Sequence, residues 1–215
     1  MPYANLQITH LLGPAWETFK RRPGLVIAMW IACAFLEASV GTETAETSVF
    51  DALLGLAIFF ASGPLQGGYD LAMVRLLRGD DTVTFTDLFA GFSKFEHLFL
   101  VLLLVVVGTV LGVILLVIPG IVFALASWPA YLLVMEDDLN AIDALKASWK
   151  LTDGYRLQLF FVALVSLALL FAGLLALGFG LFVAGPLAQL MWLRAYEEMR
   201  AAKSDDAMAQ AASLA

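Results

Sequence analysis

Cysteine occurs once in the chain, as Cys33 inside an apolar run, and histidine twice, as His10 and His97. A lone thiol in an apolar run excludes a disulfide framework and a thiolate metal site. Two histidines with no His-Glu-x-x-His pair provide no ligand set for a metal-dependent hydrolase. The chain also lacks a Gly-x-Ser-x-Gly nucleophile elbow and a Gly-x-x-x-x-Gly-Lys phosphate cradle, which argues against an esterase or a built-in ATPase. Charge is scarce, at 14% of residues, and the twelve lysines and arginines are interleaved with acids in no extended stripe. Nucleic-acid binding has no footing in such a pattern. No cofactor is implied.

What the chain has in abundance is apolar side chains, 61% of 215 residues, with a mean hydropathy of +0.88. That composition belongs to membrane proteins, not to soluble domains. A helix needs roughly 20 apolar residues to cross the hydrocarbon. The candidate spans are 24–40, 49–74, 98–117, 120–135, 157–175 and 179–196. The fourth and sixth are short or hold a proline, so they read as tilted, broken or re-entrant. Tight turns are expected at Pro119-Gly120 and at Gly178-Phe179-Gly180. The first span follows a polar stretch and Lys20-Arg21-Arg22, so no cleavable signal peptide is expected.

Every basic residue falls in alternate connections. Lys20, Arg21 and Arg22 precede the first span; Arg75, Arg78 and Lys94 lie between the second and third; Lys146, Lys150 and Arg156 between the fourth and fifth; Arg194, Arg200 and Lys203 at or after the end of the sixth. The outer loop after the first span carries Glu43 and Glu46 instead. The positive-inside rule then gives a multi-pass protein of the bacterial inner membrane with both termini cytoplasmic.

An internal repeat emerges on comparing the cytoplasmic stretches. Each pair of spans follows an amphipathic segment bearing an aromatic residue, Trp16, Phe92 or Trp149, and each pair's second span holds a proline, Pro64, Pro129 or Pro186. The apolar residues of these segments follow helical spacing. Thr84-x-x-Asp87 and Asn140-x-x-Asp143 suit helix starts. The expected fold is an all-α membrane protein with six membrane segments as three helical hairpins, each preceded by an amphipathic interfacial helix. It forms one domain, 1–200, of three pseudo-repeats, 5–80, 84–138 and 139–200, with a flexible tail at 201–215. Trp16, Phe92 and Trp149 are expected in equivalent buried interfacial positions.

The stretch from Phe85-Thr86-Asp87-Leu88-Phe89-Ala90-Gly91-Phe92, through Ile118-Pro119-Gly120-Ile121 and Glu136-Asp137-Asp138-Leu139, to Ala144-Leu145-Lys146-Ala147-Ser148-Trp149 with Gly154 resembles an uncharacterised family of bacterial multi-span membrane proteins. That family is related to the membrane domain of glycerophosphodiester phosphodiesterases. The resemblance covers about 85–199 and implies several membrane helices without an established activity. In the fused proteins hydrolysis belongs to a separate soluble domain.

Polar residues inside the spans are the candidate site, because an ionisable group in hydrocarbon is costly. Gln66, Tyr69 and Asp70 follow Pro64, and Gln189 follows Pro186. They either line a hydrated cavity or satisfy a broken helix. Lys20, Arg21 and Arg22 are candidates for anionic-lipid contact, and Trp128, Tyr131, Trp192 and Tyr196 suit interfacial anchoring. Gly63-x-x-x-Gly67 and Gly108-x-x-x-Gly112 permit close helix approach, within the bundle or between protomers.

The first functional reading is a non-enzymatic membrane-organising or accessory subunit that contacts membrane lipids and a membrane-protein partner or a second copy of the chain. The second is a small-molecule or lipid transport component, and the third a membrane-embedded enzyme. Convergence of Gln66, Asp70 and Gln189 on a cavity distinguishes the second from the first.

Overall fold

The computed structural model describes residues 8–39, 49–176 and 178–214. Its elements are α1 (Ile8–Arg21), α2 (Pro23–Ser39), α3 (Val49–Leu77), a 3-10 helix (Phe85–Lys94), α4 (Phe95–Leu115), α5 (Val117–Ser127), α6 (Ala130–Asp137), α7 (Ala141–Leu151), α8 (Arg156–Leu175) and α9 (Leu181–Leu214). No strand occurs among the described residues.

Four stretches are long and apolar enough to cross a membrane: Val49–Leu77, Phe85–Leu115, Val117–Asp137 and Arg156–Leu175. The first expected span is a shorter apolar helix, and α9 meets its first charge at Arg194, little more than three turns after it begins. Four such helices are therefore seen where six were expected.

Local chemistry explains the breaks. The turn expected at Pro119-Gly120 falls instead at Leu116, which is extended at φ −165°, ψ 139°. Pro119 then sits in the first turn of α5, where a missing N–H costs nothing. Close approach brings α5 back along α4, with Gly112 against Gly120 and Gly108 under the ring of Phe123. The fourth apolar stretch is interrupted at Trp128-Pro129, between α5 and α6. Asp138, left-handed at φ 54°, ends α6. There Lys94 Nζ donates to the carbonyls of Val134 (2.8 Å) and Met135 (3.2 Å) and pairs with Asp138, satisfying carbonyls the helix leaves open. At the far end of the chain α9 continues through Leu214.

Residues 85–94 form a 3-10 helix, not the expected α-helix. Thr84 opens it with the anticipated capping box, its backbone N–H donating to Asp87 Oδ2 at 2.7 Å. A cause lies in its seat: Gly91 meets the Pro64 carbonyl and Gly68 meets the Leu88 carbonyl, with no room for a Cβ on either. The Gly63-x-x-x-Gly67 pair faces Leu98 of α4, so both glycine pairs serve contacts within the chain.

Each amphipathic segment docks on a proline-bearing span. The 3-10 helix lies on α3, α7 on α5 and α6, and α1 on α9. Ser148 Oγ donates to the Ala126 carbonyl (2.5 Å) and Trp149 Nε1 to Ser127 Oγ (3.2 Å), fastening α7 just before the Trp128-Pro129 break. The core gathers where α3, α6 and α9 meet: Met73, Val74, Leu132, Val134, Leu190, Met191 and Leu193 are fully buried.

The three aromatics are not equivalent. Trp16 and Phe92 are each 41% exposed, whereas Trp149 is half-buried against Phe123, with the Arg156 guanidinium over its ring. Phe92 belongs to a ladder of neighbouring rings, Phe85, Phe89, Phe92, Phe95, Phe99 and Phe60. A 3-10 helix repeats every three residues, so Phe89 and Phe92 line up on its outer face, and Phe95 at the start of α4 continues the row.

Candidate binding cavity

Pro64 and Pro186 each remove one helical N–H donor, and α3 and α9 run on unbroken through them. Gln66 and Asp70 come one turn apart on the stretch of α3 beyond Pro64, and Gln189 lies just beyond Pro186 in α9. Gln66 Nε2 donates to Asp70 Oδ1 at 2.9 Å. Gln189 Nε2 donates to the same oxygen at 2.7 Å. Asp70 is 2% exposed. A buried carboxylate is tolerated when donors replace the water it has lost, and the two amides do part of that here.

These groups open onto a cavity of about 320 Å³, lined by Gln66, Asp70, Gln189, Ala124, Leu125, Trp128, Tyr131 and Trp192. Three elements supply the aromatic wall: the α5–α6 break carries Trp128, the first turn of α6 carries Tyr131, and α9 carries Trp192. The two indoles meet edge to face, with centroids 5.2 Å apart. Buried Trp128 Nε1 has no hydrogen-bond partner among the described residues.

Behind Trp128, at 6.4 Å and again edge to face, stands Tyr196. Its hydroxyl donates to Glu136 Oε2 (2.8 Å) and accepts from Arg200 (2.6 Å). Glu136 also pairs with Arg78 and Arg200, while Arg78 reaches Glu197 and Arg200 reaches Asp137. This cluster ties the ends of α3 and α6 to α9. Glu197 foremost, with Glu136, holds Arg78 above its ordinary pKa against the opposing effect of burial.

Of the sequence candidates, Gln66, Asp70 and Gln189 come together. Tyr69 does not join them; it is 2% exposed in the core and lies outside the cavity wall. The basic cluster is largely occupied within the chain. Arg21 Nη2 donates to the Leu76 carbonyl (2.8 Å), Arg22 Nη1 to the carbonyls of Asp81 (2.7 Å) and Val83 (2.8 Å), and Lys20 pairs with Glu17. These bonds hold the connection between α3 and the 3-10 helix. Trp128, Tyr131 and Trp192 were assigned as interfacial anchors, and their place in a cavity wall was missed. The available signal was spacing: Tyr131 stands two residues after Pro129, as Gln66 does after Pro64, and Trp192 one turn beyond Gln189.

A second cleft is formed by Phe92, Ser93, Lys94, Phe95, Glu96, His97 and Asp138. His97 Nε2 is 3.6 Å from its neighbour Glu96, whose side chain is 83% exposed, and Lys94 is spent on the end of α6. Among the described residues no three His, Cys, Asp or Glu side chains gather as metal ligands. Comparison with protein-family models, curated proteins and solved structures finds no match to this chain.

Proposed function

We propose that this chain is a non-enzymatic membrane transport component whose central cavity receives a small molecule at Asp70. The observation that carries the reading is the convergence of Gln66 and Gln189, from two proline-bearing helices, on one carboxylate oxygen beside an aromatic-walled space. A small cavity with a few converging polar groups is the ordinary form of a ligand site. The interrupted pair α5 and α6, which brings Trp128 and Tyr131 to the wall, matches a recurrent design of carriers, a broken helix beside a central site.

In this reading six segments cross the bacterial inner membrane as three hairpins, with both termini and all the basic connections in the cytoplasm. Its support is that Arg78, Arg200, Glu136 and Glu197 cluster at one end of the bundle. The repeat reading gains support from the docking order. Each of the second and third interfacial elements lies on the proline-bearing span of the preceding hairpin, and α1 lies on α9, so the docking order is cyclic over the three units. The resemblance to the membrane domain of glycerophosphodiester phosphodiesterases belongs to the same proposal.

The test is solute entry into proteoliposomes, followed by stopped-flow light scattering across a panel of small polar, cationic and anionic solutes, with wild-type and Asp70→Asn protein compared. Wild-type protein is expected to admit at least one solute that the variant does not. Identical traces across the panel would overturn the carrier reading. A second reading, a membrane-organising subunit, is favoured by the exposed phenylalanine ladder, which offers a lipid or a partner helix a continuous aromatic face.

A further inference from the structure

We propose that the cavity recognises a small organic cation, an ammonium group set against Asp70 with its alkyl substituents beside Trp128 and Trp192. The proposal rests on the binding-cavity reading and names its ligand class.

Charge complementarity decides the sign. Of the lining residues Asp70 carries the formal negative charge, and none is lysine, arginine or histidine. Gln66 and Gln189 both donate to Oδ1. The rest of the wall is apolar or aromatic, so little solvent screens that charge. Indole rings present negative faces and attract cations best of the aromatic side chains. An anion is repelled by the carboxylate. A neutral apolar solute would displace water from a buried carboxylate and return nothing to it. At the Trp128-Pro129 break the negative end of α5 adjoins the positive end of α6, and the two partial charges offset.

Size narrows the class. About 320 Å³ lies near the lower limit of ligand sites, roughly 300–1,000 Å³, suiting a trimethylammonium head with a short chain more than a polyamine. Depth leaves two sources for that head. Asp70 lies five residues before Arg75 on α3, about 7 Å of helix rise, so the site stands close to the charged end. A free solute and a lipid headgroup can both reach that level, and the ammonium chemistry is common to them.

The test uses the full chain purified in maltoside detergent, with binding of choline and of tetramethylammonium followed by tryptophan fluorescence and by calorimetry. The neutral carbon isostere of choline, 3,3-dimethyl-1-butanol, is the control. Saturable binding of at least one cation is expected, weaker for the isostere by about tenfold or more. Asp70→Asn should erase that preference, and Trp192→Leu should weaken the cation more than the isostere. The charge preference of the wild-type protein is decisive by itself if Asp70→Asn does not fold. Equal affinity for choline and its isostere overturns the cation assignment and leaves the cavity reading standing. Binding of neither cation overturns the assignment, and absence of binding by any of the three ligands counts against the cavity reading as well. In nanodiscs, occlusion of choline by phosphatidylcholine but not by phosphatidylglycerol identifies a lipid headgroup as the source, and equal binding in both identifies a free solute; each supports the ammonium chemistry.

Discussion

Gln189 and Asp70 are 119 residues apart in the chain and 2.7 Å apart in space, amide nitrogen to carboxylate oxygen. The bond joins α9 to α3 at the point where both run on past a proline. Gln189→Leu removes one of two amide donors from a buried oxygen, which costs about 1–3 kcal/mol, at the lower end if residual water or lipid groups compensate. Thermal unfolding in detergent should show the loss. An unchanged midpoint would mean that the bond contributes nothing to holding α9 on α3.

Glycines give the sharpest steric contrast. Gly68→Ala and Gly91→Ala drive a methyl group into backbone carbonyls of the facing segment, and backbone yields less readily than a side chain. Each should cost about 1–3 kcal/mol or more. At Gly13 and Gly24 nothing stands within 4 Å of the added carbon, so alanine there should be neutral or stabilising by up to about 1 kcal/mol. Similar midpoints for all four variants would contradict the seating of the 3-10 helix on α3.

The aromatic truncations should separate. Trp149 donates to Ser127 Oγ and packs on Phe123, so Trp149→Ala should cost about 3 kcal/mol. Trp16 and Phe92 face outward, and Trp16→Ala and Phe92→Ala should each cost below about 1 kcal/mol in detergent. Equal losses at all three positions would restore the equivalence that the structure denies.

Acid should loosen the connection after α3. The Thr82 hydroxyl and backbone N–H, followed by Arg75, hold Asp80 down to about 2 from an ordinary 3.8. With the folded value depressed, its stabilisation is present above the unfolded value and is lost as the pH falls from about 4 through about 2. Asp80→Asn should therefore lower the midpoint at neutral pH, and the gap from wild type should close near pH 2. A gap constant across that window would exclude the carboxylate as its origin.

Topology is testable by labelling in a Cys33→Ser background. Cysteines at Thr44 and Thr47, which lie outside the described residues, should react with an impermeant reagent added to intact cells. Cysteines at Thr82 and Ser204 should not. Labelling at Ser204 would refute an even number of crossings.

Much of the fold could be read from the sequence because apolar length and charge position act locally. The capping at Thr84 and Asn140, the positive-φ turn at Gly178 and the isolation of the basic residues are all settled within a few residues of chain. Gln66, Asp70 and Gln189 stood out because polar groups beyond a proline are conspicuous in an apolar run. The walls did not. Trp128, Tyr131 and Trp192 look like interfacial anchors until the break between α5 and α6 sets the first two, and the docking of α9 the third, around Asp70; the place of the break is fixed where Ser148 and Trp149 fasten α7. The 3-10 form of residues 85–94 was equally hidden, since it answers to the backbone of α3 and not to its own side-chain pattern. The exposure of Trp16 and Phe92 is likewise a tertiary fact.

The two bonds on Asp70 Oδ1 differ in one respect that bears on biogenesis. Gln66 lies on the same helix and can shield the carboxylate as soon as α3 has formed, while Gln189 emerges from the ribosome only after some 119 further residues. An acidic side chain entering lipid thus carries an escort of its own through most of synthesis, and the arrival of α9 both completes its coordination and brings α1 its docking partner. Made later than both of its partners, α9 is the latch of the assembly, so truncation before Gln189 should leave an inserted but unlatched chain, a natural substrate for membrane quality control.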